Sequence, residues 1–177
     1  EMADVRDGFV ADAWLANWDV VGATQDNILV TPGGRAFRID AGGSLRFRAQ
    51  GAPKGGAWNE TVAELKTLRD GTNFQAQKAF AKVTDDDVLK QIDQLEKRMT
   101  DKAIREAVEG AGADDPEGLI ATLIARRKYL SSEAASIRKA KQAREEMLEQ
   151  LRKQGKPKPT GKLKAEHKAI IKQAVKT

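Results

Sequence analysis

The sequence predicts a mainly α fold with one small β-hairpin, followed by a basic helical extension. Three observations predict it. From Asn59 onward, apolar residues recur at helical spacing between recognisable cap and stop residues. Nearer the start, two short β-prone runs, residues 28–30 and 36–39, flank the turn Pro32-Gly33-Gly34. After residue 130 the charge changes sign: 13 Lys/Arg against 5 Asp/Glu, where the first 130 residues hold 18 and 21.

The elements follow in order. Asp7 is placed to cap a helix that reaches about Asn17, within a predicted helical stretch 7–18, with Val10, Ala13, Trp14 and Asn17 on one face. Trp14 and Trp18 are four apart and can touch if the helix persists. The hairpin comes next, within residues 19–45. Residues 44–58 hold Arg46, Arg48 and Lys54 among glycines and a proline. They read as a loop whose cations could meet phosphate or an acidic substrate. Lys54 lacks the Gly before it and the Ser/Thr after it that a phosphate-binding P-loop needs.

Residues 59–130 are expected to be helical. Asn59 is a candidate cap for a helix to Arg69, and Asn73 for a second. Thr84 before three aspartates reads as a capping box, with Asp85, Asp86 and Asp87 complementing a helix N-terminus rather than gathering a metal. Thr100 opens another helix and Pro116 the next, which ends in the basic step Arg126-Arg127-Lys128. Ser131 or Ser132 is expected to cap a separate long helix, 131–154, with a thin apolar stripe. A Lys-Pro linker (155–161) and a short basic amphipathic helix (162–177) complete the chain. His167, the only histidine, reads as a surface residue.

Composition bounds the function. The chain of 177 residues has no cysteine, so disulfides and cysteine-based zinc sites are excluded. No apolar run reaches membrane-spanning length. The basic tail suits an acidic partner, anionic lipid or nucleic acid, although its lack of aromatic residues makes any nucleic-acid binding non-specific.

Three polar residues sit where the hairpin begins and ends. Asn27 enters the first strand, Asp40 leaves the second, and Asp19 lies on the approach. A strand pair fixes the separation of its ends, so Asn27 and Asp40 can lie side by side. An amide oxygen with a carboxylate suits Mg²⁺, which completes its shell with water and substrate phosphates. Asp19 could accept a hydroxyl proton beside that metal.

This ordered set, Asp19, then Asn27-Ile28-Leu29-Val30, then Arg38-Ile39-Asp40 and glycines, resembles the catalytic and metal loops of atypical protein-kinase-like folds. The similar families are HipA-like kinases, phosphoinositide kinases and actin-fragmin kinase. The resemblance implies a kinase-like C-terminal lobe over residues 1–130 and Mg²⁺- and ATP-dependent phosphotransfer. It gives Asp19 the role of base or positioner and makes Asn27 and Asp40 the metal and nucleotide ligands. Trp18 before Asp19, and Ala41-Gly42-Gly43 after Asp40, depart from the common kinase pattern.

Such an enzyme also needs a nucleotide-covering N-lobe, which residues 1–13 cannot build. The expectation is therefore a fragment of a longer protein or a lobe supplied by another chain. The alternative is a catalytically silent kinase-like module, cytoplasmic or within an assembled particle such as that of a phage or mobile element. Its helical extension and basic tail would then dock on a protein partner or nucleic acid.

Overall fold

The computed structural model describes residues 3–154. The predicted linker, the terminal basic helix and His167 lie outside the described residues. The chain divides into two compact units, Glu1–Ser131 and Ser132–Thr177, and the candidate site belongs to the first. The order is α1 (Ala3–Arg6), α2 (Phe9–Trp14), β1 (Ile28–Val30), β2 (Ala36–Arg38), a 3-10 turn (Gly55–Ala57), α3 (Glu64–Thr67), α4 (Phe74–Phe80), α5 (Asp85–Arg98), α6 (Asp101–Gly110) and α7 (Pro116–Lys153). The fold is thus mainly α with one two-stranded sheet, as the sequence predicts. Among the described residues no helix is long and apolar enough to cross a membrane.

The core of the first unit forms where apolar faces of α2, α4, α5, α6 and α7 meet. Phe9, Phe80, Ile92, Ile104, Ile120 and Leu130 are all buried there. Phe9 and Phe80 pack with ring centroids 5.2 Å apart, within the range that tilted aromatic pairs prefer. Capping sets the helix starts. The Asn73 side chain accepts from Ala76 N at α4. Thr84 and Asp87 form the reciprocal capping box of α5, and the Thr100 side chain accepts from Ala103 N at α6.

Three elements differ from expectation. First, α2 begins at Phe9 with Gly8 at its cap position and no side-chain cap from Asp7, and it stops at Trp14 because Ala16 takes a left-handed backbone, φ 50°. Trp14 and Trp18 therefore part: the Trp14 indole donates to Leu123 O and the Trp18 indole to Glu64. Second, Asn59 does not cap a helix. Its side-chain oxygen accepts from both Thr61 N and Thr61 Oγ1, closing a local turn, and α3 begins only at Glu64. Third, no break occurs at Ser131 or Ser132. The Ser131 hydroxyl bonds back to Arg127 O and also reaches Glu96, so it supports a continuing helix instead of starting a new one. In the second unit the described residues continue helical to Lys153, with Glu149 pairing Arg152 and Lys153.

The hairpin pairs antiparallel, Ile28 with Arg38, Leu29 with Phe37 and Val30 with Ala36. A lone two-stranded hairpin is marginal in water, so this one is fastened to the helices. Arg38 donates twice to the buried Asp12 carboxylate, at 3.1 Å from Nε and 2.6 Å from Nη2, and also to Val5 O. Gly8 makes room for this clamp: a Cβ there would stand 2.5 Å from the Arg38 guanidinium. Burial pushes the Asp12 carboxyl above its ordinary range, against the opposing pull of Arg38 and Asn17. The other hairpin face stays open, with Leu29 53 % and Ile39 61 % exposed.

Candidate functional site

Asp19 stands on the loop that follows the Ala16 reversal, and Asn27 opens β1. The structure brings these two together. The Asn27 amide nitrogen donates to Asp19 O at 2.7 Å and to the Asp19 carboxylate at 3.2 Å. With both amide hydrogens turned to Asp19, the Asn27 side-chain oxygen is the atom left to accept from a donor or bind a cation. Asn27 is also held by its backbone, since its carbonyl accepts from Ile39 N at 3.1 Å and extends the ladder by one rung.

That rung sets the position of Asp40. Asn27 faces Ile39, and Asp40 follows one residue beyond. Its carboxylate accepts from Gly42 N at 2.8 Å, closing a turn in the Ala41-Gly42-Gly43 segment. The chain then passes directly beneath Asp19. A Cβ on Gly43 would lie 2.8 Å from the Asp19 Cβ, so this position requires glycine. Trp18 N donates to Gly43 O and Leu45 N to Leu15 O, zipping the segment before Asp19 to the segment after Asp40. The hairpin thus joins Asp19 directly to Asn27, and the loop closure holds Asp40 at the same end.

Two cations finish this closure, and sequence reasoning missed the role of both. Lys54 was expected to face phosphate or substrate. It is instead buried, and its ammonium donates to Ala16 O, Gly43 O and Leu45 O at 2.7–2.8 Å. All three of its hydrogens are used, and it lies over the Trp18 ring. Burial pushes its pKa down to about 8, with Glu64 opposing and Arg126 and Arg48 assisting. The other two expected phosphate contacts are also occupied: Arg46 pairs with Asp115, and Arg48 stacks on Trp18.

Arg126, expected to serve the helix C-terminus, is fully buried in the first third of α7. Its guanidinium donates to Trp14 O, Ala13 O, Asn59 O, Thr61 O and Glu64. Glu64 spends its second oxygen on the Trp18 indole. Burial lowers the Arg126 pKa while Glu64 acts the other way. A sequence signal for Arg126 existed: it continues the buried face Leu119, Leu123, Leu130 at helical spacing. Lys54 left no such signal, because its partners are carbonyls of a loop.

Beside Asp19 opens a cavity of about 640 Å³ that neither Asn27 nor Asp40 lines. Trp18, Asp19, Glu64, Thr67, Asn73 and Phe74 contribute to its walls. Asn73 ties its floor to the loop by donating to Trp18 O at 2.6 Å. A second cavity of about 530 Å³, between α2, α5, α6 and the start of α7, is mostly apolar, lined by residues such as Trp14, Leu95, Ile104 and Leu123, with Asp7, Gln91, Gln94 and Arg98 as its polar residues.

Among the described residues no three His, Cys, Asp or Glu side chains gather as a metal cluster. The candidate set has two carboxylates and an amide oxygen, all hard donors. Such a set fits Mg²⁺ only where phosphates and water supply the remaining ligands. Comparison with known proteins gave no matching family model, no matching curated protein and no matching solved structure.

Proposed function

We propose that this end of the hairpin is the C-terminal half of a Mg²⁺–nucleotide phosphotransfer site in an atypical kinase-like fold. The observation that carries the reading is the Asn27 amide bonded to both the backbone and the carboxylate of Asp19. Those bonds occupy the amide hydrogens, so the Asn27 side-chain oxygen is the atom left to act as a ligand, and they tie down the Asp19 carboxylate that would take a proton. Asn27 and Asp40 would hold Mg²⁺, which when bound neutralises charge on the nucleotide phosphates. Asp19 would orient the acceptor hydroxyl and take its proton. The lobe that covers the nucleotide would come from outside residues 3–154.

The test is binding and turnover measured separately on the full chain. Asp40→Ala should abolish Mg²⁺–ATP binding in a calorimetric titration, whereas Asp19→Ala should retain binding and lose transfer to acceptor. Equal binding by wild type and Asp40→Ala would sink the assignment.

A second reading is a catalytically silent module in a larger assembly, with the basic extension as its docking element. The closed turn between Asp40 and Gly42 favours it, because a carboxylate used to hold its own loop needs no metal. This reading predicts no nucleotide-dependent change in any variant. It also predicts partner or nucleic-acid binding that weakens steeply with salt and is lost on deletion of residues 155–177.

A further inference from the structure

The cavity beside Asp19 is unlike the rest of the candidate site. Asp19 is the one residue common to both: its carboxylate meets Asn27, and the residue also lines the cavity. Neither Asn27 nor Asp40 reaches the cavity wall. A volume of about 640 Å³ falls within the range of small-molecule sites.

The charge of the wall is one-sided. Among the described residues its only ionisable groups are Asp19 and Glu64, and no lysine or arginine lines it. Glu64 is neutralised in place, with one oxygen on Arg126 and the other on the Trp18 indole. Asp19 is therefore the uncompensated charge. The nearby cations are directed elsewhere: Lys54 onto three carbonyls, Arg48 onto the Trp18 ring and Lys78 onto the Phe74 ring. The remaining wall is uncharged, with Asn59, Thr67, Thr72, Asn73 and Gln75 as polar residues and Val21, Leu68 and Phe74, the last 62 % exposed, among the apolar ones. An anion placed here would meet Asp19 without a compensating cation and lose its hydration. An amine or a neutral hydroxyl would meet a carboxylate that can accept from it.

We propose that this cavity receives the phosphoryl acceptor, and that the acceptor is a small polyhydroxylated molecule, uncharged or amine-bearing, rather than a phosphorylated sugar or lipid headgroup. The inference rests on the phosphotransfer reading for the role of the ligand, but not for its recognition. In the step, the acceptor oxygen bonds to the γ-phosphorus of ATP as the bond from that phosphorus to the bridging oxygen breaks. The hydroxyl proton passes to the Asp19 carboxylate, and ADP leaves with the bond's electron pair.

Three probes on one scaffold test the recognition: glucosamine, methyl glucoside and glucose 6-phosphate. The readout is the indole N–H resonance of Trp18 in an NMR titration of the full chain, since that N–H lies at the cavity wall on Glu64. Glucosamine should give a saturable shift, methyl glucoside a weaker one and glucose 6-phosphate none. Ala63→Trp should abolish the shift. Ala63 lines the cavity, is exposed and has helical backbone, so the larger side chain can fill the space without disturbing the core. Asp19→Asn should remove the preference of glucosamine over methyl glucoside. Asp40→Ala should leave all three titrations as in wild type, which separates this inference from the nucleotide site: a sugar shift without Mg²⁺–ATP binding would overturn the phosphotransfer reading alone. A shift by glucose 6-phosphate as large as that by glucosamine, a shift retained in Ala63→Trp, or no shift with any probe would overturn the inference.

Discussion

Two sets of polar side chains flank the segment from Trp14 to Asp19, and they are completed to different degrees. Behind it, Arg126 and Lys54 are buried and every donor direction is taken, mostly by backbone carbonyls. In front of it, Asp19 and Asp40 each use one of roughly four acceptor positions that a carboxylate offers. The difference separates structure from chemistry. A buried cation with all its bonds made can only hold a backbone in place. A partly used oxygen can still meet a proton, a cation or a ligand. The same loop thus has a finished side that fixes its shape and an unfinished side that is available for chemistry.

That contrast can be broken by substitution. Arg126→Ala should have the largest effect, a loss of about 3–5 kcal/mol in urea unfolding, because it strands the buried Glu64 carboxylate and four carbonyls. A loss below 1 kcal/mol would show that water replaces the guanidinium and that the cluster is not structural. Lys54→Met should cost about 2–3 kcal/mol, since three carbonyls lose their donor while the apolar stem is kept.

The Lys54 change also has a pH signature. The folded lysine gives up its proton at about 8, the unfolded one at 10.5. Between these values the unfolded chain binds more protons, so wild-type stability should rise with pH in that window relative to Lys54→Met. A flat difference between the two proteins from pH 8 to 10.5 would place the charge of Lys54 outside the folding equilibrium.

Thr84→Ala should cost about 1 kcal/mol by opening the capping box of α5, with no effect on ligand binding, because α5 contributes no residue to the candidate site. At the small end, Asp19→Asn and Asp40→Asn should each change stability by less than about 0.5 kcal/mol. A large loss in either would move that carboxylate to the structural side of the comparison.

The sequence carried the hairpin and most helix starts because these are local. Pro32-Gly33-Gly34 between β-prone runs, and Asn73, Thr84 and Thr100 before helices, each act within four residues of themselves. What it did not carry depends on distant partners. Asn59 looked like a cap but closed on Thr61 and gave its carbonyl to Arg126, 67 residues away. Ser131 looked like a start and became a back-bonded helix residue. Of the candidate site, the identity and order of Asp19, Asn27 and Asp40 were legible. Their pairing was not, because the register places Asn27 opposite Ile39 and turns its amide to Asp19. The cavity was not legible at all, since its walls come from residues 18–23, 57–64 and 67–75.

Thermal unfolding of wild type and Asp40→Ala with and without Mg²⁺–ATP tests most directly whether the unfinished side binds a Mg²⁺–nucleotide. At a ligand concentration of about 100 times its dissociation constant, a working site adds roughly 2.7 kcal/mol. The expected result is a raised midpoint in wild type that vanishes in Asp40→Ala. An unchanged midpoint in wild type, or an equal rise in both proteins, would contradict it.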